Sequence, residues 1–125
     1  SITGLLVSQE SQSESLEVTG FCILEKSTFT KASIQGNAKI SKSTINEMTI
    51  KLTHAQKPEP LEFTDTKIKE LVIESSEEKS PPVIVLAGHT KINKIYFTAG
   101  NGRVLIKDNS VVVAQIDGGS LEKAF

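Results

Sequence analysis

The sequence predicts an all-β protein, a parallel β-helix (β-solenoid) of about five turns with 20–24 residues per turn. Composition is the first observation behind this. Of 125 residues, 13 are Ile, 9 Val and 11 Thr, and such β-branched side chains are stiff at χ1 and favour a pleated strand over a helix. The second observation is a short beat. Val18, Ile23, Phe29, Ile34, Ile40, Ile45 and Ile50 follow one another at steps of 5, 6, 5, 6, 5 and 5 residues. A helical stripe steps by 3 and 4 and a half-buried strand by 2, so this beat describes short strands joined by corners. The third is a longer period shared by three columns. Val18, Ile40, Phe63, Leu86 and Ile106 stand 22, 23, 23 and 20 apart, and Ile23, Ile45, Ile68, Ile92 and Val112 stand 22, 23, 24 and 20 apart. Phe29, Ile50, Ile73 and Phe97 stand 21, 23 and 24 apart. One such unit cannot bury its inner face alone, so units stack, strand over strand in parallel at about 4.8 Å. Crossovers between parallel strands are right-handed, and the same hand is expected here.

The elements follow in order. Residues 1–15 hold an apolar patch, Leu5-Leu6-Val7, and a polar run from Ser8 to Ser15, and are expected to form an N-terminal arm or cap. The solenoid domain is expected over 16–125, with turns at roughly 16–37, 38–60, 61–83, 84–103 and 104–125. Gly20, Gly36, Asn37 and Asn46 fall at corners, where positive φ or a side-chain bond to the backbone is cheap. The four prolines, Pro58, Pro60, Pro81 and Pro82, lie in two insertions, His54 to Pro60 and Glu74 to Pro82. Proline removes a ladder donor and belongs in such loops. Ala99-Gly100-Asn101-Gly102 reads as a tight corner or bulge. Ser43, Thr66, Thr90 and Ser110 each stand two places before an apolar residue, a motif that marks equivalent positions.

Charge and length exclude several function classes. Fourteen Lys and Arg against fifteen Asp and Glu give a net charge of −1, without the basic excess of a nucleic-acid binder. No apolar run reaches the roughly 20 residues of a membrane helix. A single cysteine, Cys22, allows neither an internal disulfide framework nor a cysteine-based zinc site. The length suits one domain. No cofactor motif is present: Ala99 to Gly102 lacks dinucleotide or P-loop spacing, and Asp117-Gly118-Gly119 reads as a corner. The compartment is left open: the sequence opens at Ser1 without a signal core, which fits a mature secreted chain or a trimmed one, and a single cysteine fits either side of a bacterial membrane. An extracytoplasmic setting (periplasmic, envelope or secreted) is favoured over the cytoplasm.

The five columns, with the Ile-Lys-Asp-Asn-Ser-Val and Ile-Asp-Gly-Gly segments near the end, resemble the small bacterial single-stranded parallel β-helix proteins, loosely the bactofilins, over roughly residues 16 to 121. The resemblance implies a stacked parallel solenoid of the bacterial envelope. Bactofilin-like chains have shorter turns and more Gly at the corners than this sequence shows.

Candidate chemistry is sparse. His89, one of two histidines, is weighed as a general base of an acyltransferase, but that family keeps a strict six-residue step. His89 instead shares a polar corner slot with Asp65 and Asn109, giving a surface stripe Asp65, His89, Asn109. A carboxylate-bearing stripe of this kind is where a small carbohydrate-active or transferase-like domain would work. His54 stands beside the first proline insertion and Cys22 beside Ile23; both read as structural. Glu74, Glu77 and Glu78 around Lys79 read as a solvated loop. Thr66, Thr90 and Ser110 are weighed as an exposed hydroxyl ladder for a flat ligand, which Lys67 and Lys91 would spoil, leaving ordinary cross-strand pairing. The functional expectation is a non-enzymatic structural or interaction module acting through a solenoid face or end, with no catalytic, cofactor or metal residues. Its partners would be another protein or a second copy at the ends, where unpaired strands invite stacking.

Overall fold

The computed structural model describes residues 2–10, 12–52, 61–75, 82–98, 100 and 102–124. Among them the chain is strand and corner throughout: β1 (Ile2–Gln9), β2 (Gln12–Glu25), β3 (Thr28–Ser41), β4 (Thr44–Leu52), β5 (Leu61–Thr64), β6 (Lys67–Ser75), β7 (Val83–Ala87), β8 (Lys91–Phe97), β9 (Gly102–Ile106), β10 (Val112–Asp117) and β11 (Gly119–Lys123). Every pairing is parallel. The result is a β-solenoid of about five turns. Among the described residues no helix is long and apolar enough to cross a membrane.

Two ladders run along the axis. The first half of β3 pairs β4, and from there the ladder continues through β6, β8 and β10. The second half of β3 pairs β5, and that ladder continues through β7, β9 and β11. Residues 2–9 and 12–15, read from the sequence as an arm or cap, are strands in the same register, with Ile2 over Val18 and Gln12 over Thr28.

The register also corrects the length of the early turns. Gln12, Thr28, Thr44, Lys67, Lys91 and Val112 are successive equivalents, so the five turns hold 16, 16, 23, 24 and 21 residues. The later three have the expected length and the first two are shorter. The long columns therefore hold only from Ile40, Ile45 and Ile50 onward. Leu24, not Val18, precedes Ile40; Phe29, not Ile23, precedes Ile45; and Ile34 precedes Ile50. At the far end Val113, not Val112, follows Ile92. The extra residues of the third and fourth turns fall between Leu52 and Leu61 and after Ser75, at the two proline insertions. His54, Pro58, Pro60, Glu77, Glu78, Lys79 and Pro81 lie outside the described residues, as do Ala99 and Asn101.

Each turn points a small set of side chains inward. In β3 these are Phe29, Ala32, Ile34, Ala38 and Ile40, all buried. Stacked in register they build one apolar core from Val18 to Val111, with Leu16, Leu52, Val113 and Ile116 packed at its edge. One break in strict alternation recurs at the exposed neighbours Thr30–Lys31, Asn46–Glu47 and Lys69–Glu70. Two outward residues in a row bend the strand and start a new side.

Two kinds of corner close the turn. At one, Gly36 has φ +135°, and a Cβ there would run into the carbonyl oxygen of Gly20 stacked on it. Only glycine meets both conditions. At the other, Glu10, Lys26, Lys42 and Asp65 take φ of 54°, 50°, 49° and 47°, and Gly88 follows at 65°. Each of the first four donates its N–H to a carbonyl of the adjacent turn, as Lys42 does to Thr64 at 2.9 Å. This left-handed step costs about 1–2 kcal/mol per residue, and the inter-turn bond offsets it.

Candidate functional site

Beside that left-handed corner, Ser27, Ser43, Thr66 and Thr90 point inward and are 1%, 2%, 0% and 0% exposed. Hydroxyls there are fully used. The Ser43 Oγ accepts the Ser27 N–H at 3.1 Å and donates to the Ser41 carbonyl at 2.9 Å. The Thr90 Oγ1 accepts the Thr66 N–H at 3.4 Å and donates to the Ala87 carbonyl at 2.7 Å. Ser110 is exposed, and Val111 takes the next place in the column. The hydroxyl ladder is thus buried and structural. The motif correctly marked equivalent positions at 43, 66 and 90, but its period could not show which side they faced.

The stripe Asp65, His89, Asn109 lies along this corner on successive turns. Asp65 Oδ1 accepts the backbone N–H of His89 at 2.8 Å. Asp108, beside Asn109, accepts the N–H of Gly88 at 2.7 Å. The two carboxylates therefore hold the corner backbone of the turn next to them. His89 and Asn109 are exposed and Asp65 is half-buried. Cys22 is buried, and burial pushes its thiol up to about 11, which keeps it protonated and a poor nucleophile. Among the described residues no group of three His, Cys, Asp or Glu could hold a metal ion.

A different surface carries an open depression. A shallow groove of about 490 Å³ runs across four turns, over 28–30, 44–46, 67–69 and 91–93. Phe29, Ile45 and Ile68 form its floor, and Thr28, Thr30, Thr44, Asn46, Lys67, Lys69, Lys91 and Asn93 line it. All eight of these polar side chains are exposed. Among the described residues no acidic side chain lines the groove. Register makes it: Thr28, Thr44, Lys67 and Lys91 form one outward column, and Thr30, Asn46, Lys69 and Asn93 stand two residues on. Three ladder steps give the groove a run of roughly 14 Å along the axis.

The charge pattern of the groove differs from that of the other sides. Elsewhere pairs set a cation against an acid across turns, as in Lys31–Glu47 at 3.9 Å, Lys39–Glu62 at 3.4 Å, Lys51–Glu74 at 3.7 Å, Lys94–Asp117 at 3.8 Å and Arg103–Glu122 at 2.7 Å, while Glu47 and Glu70 form a like-charge pair in register. In the groove Lys67 is stacked directly on Lys91. Among the described residues Lys67, Lys69 and Lys91 have no ion-pair partner. Sequence reasoning passed over this surface, treating Lys67 and Lys91 only as interruptions of a hydroxyl face. The signal was present in Thr-Lys-Ile at 66–68 and 90–92, which repeats the lysine with the column.

No family model, no curated protein and no solved structure matches the chain.

Proposed function

We propose that the chain is a non-enzymatic interaction module that presents one side of a rigid β-solenoid to a partner. The observation that carries this reading is the groove over 28–30, 44–46, 67–69 and 91–93, assembled from four turns whose backbones are fixed in register. Such a surface is built before any ligand arrives, which lowers the ordering cost of binding. Several of the polar groups outside it that the sequence singles out are engaged in structure. Asp65 and Asp108 hold backbone N–H groups, the buried hydroxyls close corners, and Cys22 is a protonated core thiol.

The setting we propose with this role is a small bacterial solenoid of the envelope or secreted space, of the loosely bactofilin-like kind. The early 16-residue turns and the stacked Gly4, Gly20 and Gly36 support it. They narrow the difference in turn length and corner glycine that set the sequence apart from that group.

The test is amide chemical-shift mapping of the 125-residue chain against neutral and acidic polysaccharides, phospholipid vesicles, single-stranded DNA and rising concentrations of itself. Saturable shifts confined to one side of the solenoid support the module. Turnover of any probe overturns the non-enzymatic reading. Shifts confined to β1, β10 and β11 on self-titration overturn the side-face reading in favour of end-to-end contact.

A further inference from the structure

We propose that the groove is an oxyanion-binding site for an acidic polysaccharide, with Lys67, Lys69 and Lys91 taking the anionic groups and Thr28, Thr30, Thr44, Asn46 and Asn93 taking the sugar hydroxyls. This rests on the module reading above and names its ligand class.

The argument begins with a local conflict. Like charges directly opposite each other in a ladder destabilise it. Lys26, Lys31, Lys39, Lys51 and Lys94 meet carboxylates across turns. Lys42, Lys107 and Lys123 are further described lysines without an ion-pair partner, and none of them is paired with another lysine in a strand ladder. Lys67 and Lys91 instead face each other in register, about 4.8 Å apart at the backbone. Lys69 adds a third cation from the same strand as Lys67, and among the described residues no acid lines the groove. Three lysines on one open surface make a local positive field that favours an anion, and a bridging oxyanion can accept hydrogen bonds from two ammonium groups at once.

The neutral lining decides what carries that anion. Three threonines and two asparagines supply hydroxyl and amide groups that both donate and accept. A polyhydroxylated chain uses such groups all along its length. Single-stranded nucleic acid would need aromatic platforms, and the groove's one aromatic residue, Phe29, is 4% exposed in the floor. A duplex would need a wider basic field than a chain of net charge −1 provides. A lipid surface would need exposed apolar side chains around the cations. Among the described residues the exposed large apolar side chains are Val7, Tyr96, Val112 and Leu121; none lines the groove, and only Val112, the next residue after Lys91 in the column, borders it.

The experiment titrates the full chain with polygalacturonate, heparin, inorganic polyphosphate and neutral dextran, by calorimetry and amide chemical shifts. Polygalacturonate and heparin carry their oxyanions on sugars, polyphosphate carries them without sugar, and dextran carries sugar alone. The expected result is salt-dependent binding of one or both acidic polysaccharides, with shifts at 67–69 and 91–93. The Lys67→Gln/Lys91→Gln variant should bind at least tenfold more weakly, and Lys51→Gln should bind as the parent does. The pair Thr30→Ala/Asn93→Ala should lose affinity for the polysaccharide and keep whatever affinity polyphosphate has. The variants alter exposed side chains, and an unchanged thermal midpoint shows that they fold. No binding by either acidic polysaccharide, or equal binding by the lysine variant, overturns the proposal. Polyphosphate binding that the lysine variant loses, with Thr30→Ala/Asn93→Ala bound to polysaccharide as tightly as the parent, overturns the carbohydrate assignment. Shifts on another side overturn this site while leaving the module reading intact; cleavage of a polysaccharide removes the module reading itself.

Discussion

Replacing Thr90 by Val tests whether the buried hydroxyl ladder holds the left-handed corner. Thr90 is 0% exposed. Its Oγ1 accepts the Thr66 N–H at 3.4 Å and donates to the Ala87 carbonyl at 2.7 Å, with the Phe63 carbonyl at 3.3 Å. Valine keeps the shape, so no cavity forms. The next position in the column is Val111, 8% exposed, which shows that the corner accepts a valine side chain there. What changes is hydrogen bonding. The Thr66 N–H loses its partner, the Ala87 carbonyl keeps the Asp65 N–H at 3.3 Å, and an unsatisfied buried group costs about 1–3 kcal/mol. The long N–H bond and the extra buried methyl reduce this, so we expect a loss of about 1–2 kcal/mol. Urea unfolding should show a lower midpoint with an unchanged slope, and the thermal midpoint should fall by about 3–6 °C for each kcal/mol. Amide hydrogen exchange gives the sharper reading. Thr66 should lose protection in Thr90→Val and keep it in Thr90→Ser, which retains the oxygen. Equal protection of Thr66 in both variants, with stability unchanged, would refute the assigned role of the ladder.

Three further outcomes follow from particular contacts. Gly36→Ala should cost several kcal/mol, more than the ~1–3 kcal/mol of strain alone, because its Cβ meets the Gly20 carbonyl. Gly100→Ala, at φ +73° with nothing within 4 Å, should show the strain without the clash; equal losses in thermal melts would remove the close-approach argument. Lys91→Glu should leave stability unchanged or raise it by a few tenths of a kcal/mol, since it replaces a like-charge pair by an opposite one, and 1 M salt should remove the difference. Cys22 should make stability fall at high pH. Its folded pKa lies above the unfolded value, so the unfolded state gives up the proton first, and the contribution is complete below about pH 9 and lost between about 9 and 11. The slope is at most about 1.4 kcal/mol per pH unit, and the test is the wild-type minus Cys22→Ala difference in urea midpoint across that range. A flat difference would show that the thiol titrates alike in both states.

The all-β class and the stacked parallel architecture were legible because the apolar residues of 40–106 repeat once per turn with little change. The length of the early turns was legible too and was misread. Three consecutive steps of the short beat, from Val18 to Ile34 or from Phe29 to Ile45, make one 16-residue turn. The longer period of the later turns, which contain the insertions, was extended backwards across turns that lack them. A one-dimensional period of apolar residues cannot separate a turn from a turn plus a loop. Only equivalent corners can, and the early ones do repeat, as Lys26-Ser27-Thr28 and Lys42-Ser43-Thr44 stand 16 residues apart, whereas Asp65 at the next positive-φ position breaks the likeness. The stripe at Asp65, His89 and Asn109 was readable as one corner, yet the use of the Asp65 and Asp108 carboxylates by backbone N–H groups depends on geometry that spacing does not specify.

The groove was illegible for a related reason, and that reason explains its chemistry. Its lysines come from turns of 23 and 24 residues and its threonines from turns of 16, so no single period aligns Thr28, Thr44, Lys67 and Lys91. Stacking aligns them. In a solenoid the charge of a side is set by which residues fall into one column, and a column is a sum over turns. Cross-turn pairs such as Lys31–Glu47 and Lys39–Glu62 are exposed, and each contributes only about 0–1 kcal/mol. Stability therefore does not require the charges to alternate, and the core of Ile, Leu and Phe holds the turns regardless. The lysine column can depart from alternation at little cost to the fold. In return it concentrates three cations on a surface whose backbone is already fixed. That combination, a cheap local repulsion on a rigid frame, is what a preorganised anion site requires.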